Sequence, residues 1–175
     1  MVEEKWPSVF RSWLRTGFIY VVIVVVASIL GNLWLSRDQA GGQAPPLFAQ
    51  NVNSGHWQTV KVADFEGPVL VYFFADWCPI CKIQNHTIES INENYPVIAI
   101  AMQSGNLENV REYVRDHKLT MSVLNDEQGS LSRDFGVTGV PASFIINPHN
   151  EIRFSTRGYA TELGLLSRLW MAQLE

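Results

Sequence analysis

The chain predicts an α/β fold, a central mixed sheet flanked by helices, preceded by one N-terminal transmembrane helix. Three observations carry that expectation. Residues 17–35 form a single uncharged apolar run. Two short runs dense in β-formers, Val69–Phe74 and Val97–Met102, bracket a stretch of helical periodicity. The only cysteines, Cys78 and Cys81, stand where the first of those strands gives way to helix.

The apolar run from Gly17 to Leu35, GFIYVVIVVVASILGNLWL, matches the ~20 residues a helix needs to cross ~30 Å of hydrocarbon. Its apolarity on all sides argues against a core helix with one wet face. Lys5, Arg11 and Arg15 precede it and only Arg37 follows closely, so the basic bias places the N-terminus in the cytoplasm and exports the remainder. Trp6, Trp13 and Trp34 sit where interfacial anchors belong. Cleavage is disfavoured, because the run exceeds the ~7–15 residues of a secretory apolar core and no small-x-small site follows it. Asn32, Leu33, Trp34 and Leu35 occupy that place. The expected organisation is a cytoplasmic segment over 1–16, a signal-anchor helix over 17–35, a tether over 36–46 (SRDQAGGQAPP) and one folded domain over 47–175.

Within the domain, Gly67-Pro68 opens the buried strand VLVYFF. From Pro79 to Tyr95, Ile80, Ile83, Ile88, Ile91 and Tyr95 recur at helical spacing, and Pro96 ends the helix. VIAIAM follows as a second buried strand, completing a βαβ unit. Residues 106–118 predict a helix with Leu107, Val110, Tyr113 and Val114 on one face, and Met121–Leu124 a short strand. A helical stretch near Leu131–Phe135 leads to Gly136-Val137-Thr138-Gly139-Val140-Pro141, a tight connection. Ala142–Asn147 and Glu151–Ser155 flank Pro148-His149-Asn150 as a β-hairpin. A last helix starts at Thr161, with Leu163, Leu166, Leu169 and Trp170 expected inward.

The net charge of −4 and the lack of a basic cluster remove the footprint of a nucleic-acid binder. Two cysteines three apart make no disulfide framework, so their reading is redox or metal. A structural zinc site needs four ligands, and neither a second CxxC nor a close His pair exists. His56, His86, His117 and His149 read as surface residues, and neither metal nor cofactor is expected. As the cap of a helix opened by Pro79, Cys78 sits where unpaired N–H groups favour an anion, with the Cys81 amide free to donate to its sulfur. Cys78 is therefore the expected nucleophile and Cys81, one turn on and more buried, the resolving thiol, the two closing a redox-active disulfide. Trp77 beside the nucleophile reads either as partner-docking surface or as packing, as does Phe74. Pro79 and Ile80 place no charge between the sulfurs.

FFADWCPICK, Phe73–Lys82, resembles the active-site segment of thioredoxin-like proteins, and Gly139-Val140-Pro141 followed by ASFIINPHNEI resembles their cis-proline loop and next strand. With the anchor and the elements between Val97 and Leu124, the chain is similar to the membrane-anchored periplasmic branch that includes cytochrome c maturation thioredoxins and suppressor-of-copper-sensitivity proteins. The resemblance implies a thioredoxin-like fold over roughly 45–175 and thiol–disulfide exchange at the periplasmic face of a bacterial inner membrane. It implies cysteine-containing exported proteins as partners and a membrane thiol reductase as electron donor. It further implies a cis Val140-Pro141 bond, the proline ring against the disulfide and the Val140 backbone pairing with the partner. Two positions depart from the pattern: Tyr72 stands where thioredoxin has a buried aspartate, and Gln84 where the cytochrome c maturation group has a glutamate. Glu66, Asp76 or a water remain as substitutes for the missing proton acceptor of Cys81. A Cu(I)-binding chaperone of the same fold is the rival reading, since soft thiolates suit Cu(I), although such carriers look like CxxxC with a distant histidine.

Overall fold

All six residues of Val69–Phe74 are buried, so this strand has two apolar faces to cover and needs a layer on each side of its sheet. The computed structural model describes residues 16–27 and 42–174. In chain order its domain comprises β1 (Gly42–Gln43), β2 (Leu47–Asn51), β3 (Trp57–Val60), a 3₁₀ turn (Val62–Asp64), β4 (Val69–Phe74), α1 (Pro79–Asn92), β5 (Val97–Met102), α2 (Leu107–Asp116), β6 (Ser122–Asp126), α3 (Ser130–Asp134), β7 (Ala142–Ile146), β8 (Glu151–Arg157) and α4 (Glu162–Gln173). The strands form one mixed sheet in the order β1-β8-β7-β4-β5-β6-β2-β3. Strands β4, β5 and β6 run parallel at its centre, and β7 and β8 continue it antiparallel beyond β4.

The pleat of β4 distributes its side chains in turn. Leu70, Tyr72 and Phe74 enter one core with Ile88 and Ile91 of α1, Val110 and Tyr113 of α2, and Leu165, Leu169 and Ala172 of α4. Val69, Val71 and Phe73 enter the other with Leu131 of α3, Phe135 and Phe144. Tyr72 is thereby delivered to the face that carries both cysteines.

Several expected elements keep their residues, and the deviations have local causes. The connection between β7 and β8 turns on Asn147, whose side-chain oxygen accepts from His149 N (3.1 Å) and Glu151 N (2.9 Å), while Asn150 takes a left-handed φ of 62°. In α1 the inward face is Cys81, Gln84, Asn85, Ile88 and Ile91, and the expected Ile80 and Ile83 point outward. Its polar inward residues belong to the site, which hides them from an apolar pattern. In α4 the expected Leu163 and Trp170 are exposed, at 79% and 58%, whereas the expected Leu169 is buried together with Leu165 and Ala172. That helix is apolar on more than one side, so its periodicity does not choose the face. The hairpin β2–β3 was not expected. Its turn has a clear chemistry: Asn51 Oδ1 accepts from the amides of Asn53 and Ser54, both at 3.0 Å, and Gly55 supplies φ 72°.

Among the described residues, strand pairing is present from Gly42, ahead of the expected domain start near Leu47. Gly42 and Gln43 register with Ile152 and Glu151, and Ala44 N donates to Asn150 O at 2.8 Å. The end of the expected tether is thus an edge strand. Residues 16–27 are helical with exposed side chains, and among the described residues no helix is long and apolar enough to cross a membrane. The remainder of the expected span, 28–35, lies outside the described residues, as do 1–15 and 36–41.

Candidate active site

Strand β4 ends at Phe74, and a tight turn converts its carboxyl end into α1. Cys78 N donates to Ala75 O at 3.2 Å. Asp76 N donates to Ser104 Oγ (3.1 Å), the Asp76 carboxylate accepts from Trp77 N (2.8 Å), and the Trp77 indole N–H donates to Gln103 O (3.2 Å). The turn is therefore tied to the loop after β5. Cys78 has extended backbone, φ −92°, and caps α1, with Pro79 as the first helical residue. Pro79 lacks the amide hydrogen that would go unpaired there. The Cys81 amide donates to Cys78 Sγ at 3.3 Å, the arrangement expected of a cap whose acceptor is sulfur.

Both thiols are free. Cys78 keeps 5% of its surface and Cys81 none, so only Cys78 is open to a partner. The rim above them is apolar: Trp77 is 59% exposed and Ile80 50%. On the opposite side lies the loop before β7, where the Val140–Pro141 bond is cis. Cys78 Sγ donates to Val140 O at 3.7 Å, and Pro141 is buried with its carbonyl accepting from Gly158 N at 2.7 Å. The structure thus gathers Trp77, Cys78, Pro79, Ile80, Cys81, Val140 and Pro141 at one place, although 62 positions separate Cys78 from Val140.

Beneath Cys81 is a buried polar chain that sequence reasoning did not assemble. The Tyr72 hydroxyl lies 3.4 Å from Cys81 O and 3.1 Å from Asn85 Oδ1. Asn85 Nδ2 donates to Tyr113 Oη at 3.1 Å, and the Tyr113 ring is stacked between Phe74 and His117. Phe74 also stacks on Tyr72, at 5.8 Å between centroids, which settles its role as packing. Burial and then the hydrogen bond with Cys78 push the Cys81 thiol up to about 12, against a lowering contribution from the Tyr72 hydroxyl. Burial also raises Tyr72 and Tyr113 above the ordinary phenol range. Tyr72 was legible only as a departure from a pattern, and Asn85 carried no signal because an amide within a helix has no characteristic spacing.

The proposed substitutes for a carboxylate fare differently. Glu66 lines a surface cavity with Pro68, Asn94 and Pro96, at the start of β4 and so at the other end of that strand from the cysteines. Asp76 is near, with its carboxylate engaged by Trp77 N. Gln84 is a clip: its Nε2 donates to Ala160 O (2.9 Å) and its Oε1 accepts from Ala160 N (2.8 Å). An amide matches both ends, whereas an ionised carboxylate would set an acceptor against the Ala160 carbonyl. Among the described residues no group of three or more His, Cys, Asp and Glu side chains is placed to hold a metal ion.

Known proteins are similar to this chain over most of its length. A thioredoxin-like protein of Haemophilus influenzae is 24% identical over 165 residues, 93% of this chain and 96% of that protein. Thiol-disulfide oxidoreductase ResA of Oceanobacillus iheyensis is 25% identical over 168 residues, covering 91% and 85%. Among solved structures, a thio-disulfide isomerase of Thermus thermophilus superposes with a TM-score of 0.64 at 22% identity, covering 77% of this chain and 96% of its own. That likeness establishes the thioredoxin-like fold. The AhpC/TSA family model matches residues 40–155, from the edge strand β1 through the cysteine pair and the cis-proline loop into β8, and the chain belongs to that family.

Proposed function

We propose that this protein is a thiol–disulfide oxidoreductase in which Cys78 attacks a partner and Cys81 resolves the product. The observation that carries the reading is the cap itself: the sulfur of Cys78, which keeps 5% of its surface, receives the Cys81 amide at 3.3 Å, while Cys81 is fully buried. An anion at that sulfur is stabilised by the helix N-terminus, and one turn of helix brings the second thiol within bonding reach. Attack of Cys78 on a disulfide breaks its S–S bond, forms a mixed disulfide and releases one partner thiolate. Cys81 then displaces the second partner sulfur and closes Cys78–Cys81. The reverse sequence oxidises a dithiol. Relatives named as thiol-disulfide oxidoreductases support this activity. Trp77 and Ile80 supply an apolar rim for the partner, and the Val140 backbone beside Cys78 is positioned to pair with an extended peptide.

Cys81→Ala in the full chain is expected to accumulate mixed disulfides with partner proteins, visible as reductant-sensitive bands. With only two cysteines in the sequence, every such band reports Cys78. Absence of any adduct from a protein whose Cys78 still alkylates would sink the resolving role of Cys81.

The cellular setting belongs to the same proposal: an inner-membrane anchor over 17–35, a periplasmic domain, exported cysteine-containing proteins as partners and a membrane thiol reductase as electron donor. The uncharged run and the basic residues ahead of it, Lys5, Arg11 and Arg15, support this orientation. A reporter that works only outside the cytoplasm, fused after Glu175, is expected to be active. An inactive fusion beside an active cytoplasmic reporter at the same position would reverse the topology.

A further inference from the structure

The resolving step has an unusual difficulty in this protein. Cys81 must lose its proton to attack, yet it is fully buried, and the inward side chains nearest it on β4 and α1 include Tyr72 and Gln84 rather than a carboxylate. Gln84 is committed to Ala160 through both ends of its amide. What the fold does bring to Cys81 is a phenol, delivered by the alternation of β4 to the face shared with α1.

We propose that Tyr72 is a catalytic residue of the resolving step, its hydroxyl donating a hydrogen bond to the Cys81 sulfur as the thiolate develops, with Asn85 and Tyr113 as positioning residues. The proposal rests on the exchange reading above. The hydroxyl has one proton to place. In the dithiol it faces two acceptors, Asn85 Oδ1 at 3.1 Å and the Cys81 carbonyl at 3.4 Å, and Asn85 in turn is oriented by donating to Tyr113 Oη at 3.1 Å. The amide therefore presents its oxygen to Tyr72, and its nitrogen is occupied. When Cys81 ionises, the new thiolate, on the residue whose carbonyl the hydroxyl already meets at 3.4 Å, becomes the stronger acceptor, and the hydroxyl turns to it in a charge-assisted bond. The Tyr72 contact already acts on the Cys81 thiol in the lowering direction.

Tyr72 neither gains nor loses a proton in this scheme, since burial holds it neutral. The bond between Cys78 and the partner breaks, the Cys78–Cys81 bond forms, and the partner sulfur leaves with the electron pair and ends protonated at the expense of the Cys81 proton. The titratable groups facing Cys81 are Cys78 on its own helix and Tyr72 on β4. Tyr113 on α2 faces it beyond Asn85, and Asp76 acts on Tyr113 in turn.

The reduced full chain is mixed with excess 5,5′-dithiobis(2-nitrobenzoate), and thionitrobenzoate release is followed across pH. The first release reports attack by Cys78, the second reports closure by Cys81. Tyr72→Phe is expected to slow the second release roughly tenfold at neutral pH and to displace its rate–pH profile about one unit upward, as loss of one hydrogen bond to a charged group predicts. A second release with the wild-type rate and pH profile in folded Tyr72→Phe overturns the proposal. Loss of packing alone would not displace that profile. Should Tyr72→Phe fail to fold, Tyr113→Phe keeps the ring stack and frees Asn85. A slower, pH-displaced second release there supports the positioning chain, and an unchanged one overturns it. A wild-type chain without a first release would overturn the exchange reading instead.

Discussion

Cys78→Ser lowers disulfide reduction by about a thousandfold or more, because a serine hydroxyl at neutral pH neither attacks a disulfide nor forms an S–S bond. The substitution isolates chemistry from architecture. Cys78 is also the cap of α1, receiving the Cys81 amide on its sulfur, and a serine oxygen is a preferred acceptor for that amide. The helix is therefore retained. Cys78→Ala removes both functions and is expected to cost an additional ~0.5–2 kcal/mol of stability through the lost cap. Insulin reduction with dithiothreitol as electron source reads the activity, and chemical denaturation reads the stability. Activity above about 1% of wild type in the serine variant would mean that another group carries the exchange.

Phe73→Ala is expected to destabilise the domain by ~3–5 kcal/mol, the range for deleting a buried aromatic side chain. Phe73 has no exposed surface and sits with its ring 5.3 Å from Phe135 and 5.6 Å from Phe144, which are themselves 5.1 Å apart. The three rings close the face of the sheet opposite the cysteines. β4 and the segment around α3 and β7 meet there, and neither can collapse into the void without pulling its strand from register. Leaving the other face untouched, the variant should retain Cys78 reactivity under conditions where it is folded. Urea denaturation followed by tryptophan fluorescence measures the loss, and a change below about 1 kcal/mol would show that the triad relaxes around the cavity.

How much of this was readable in advance depends on which kind of signal a segment carries. Val69–Phe74 and Val97–Met102 were legible to the residue, because parallel central strands are buried on both faces and appear as unbroken apolar runs. The hairpin Leu47–Asn51 with Trp57–Val60 was not. Edge strands mix exposed and buried positions, and Phe48 and Trp57 are both largely exposed, so neither an apolar run nor a clean alternation marks them. Gly42–Gln43 reads as tether because its strand character comes entirely from a partner across the fold, Glu151–Ile152. Helix α4 misled through excess: apolar residues surround it, and only the position of the sheet selects Leu165, Leu169 and Ala172.

At the site the division follows sequence distance. Cap, proline and both thiols lie within one helical turn, and local backbone physics already assigns them: an extended residue before Pro79 must cap, and the amide three residues on must point at its side chain. The amino-acid sequence by itself thus determined the central strands and the dithiol, with Cys78 as the helix cap. Tertiary structure alone decided which polar groups lie beneath the thiols, because the groups that tune a buried sulfur arrive from distant segments. Tyr72 arrives through the pleat of β4, Asn85 through the rotation of α1 and Tyr113 through the packing of α2. None of those approaches leaves a periodicity to read, since each depends on where the sheet sets one element against another.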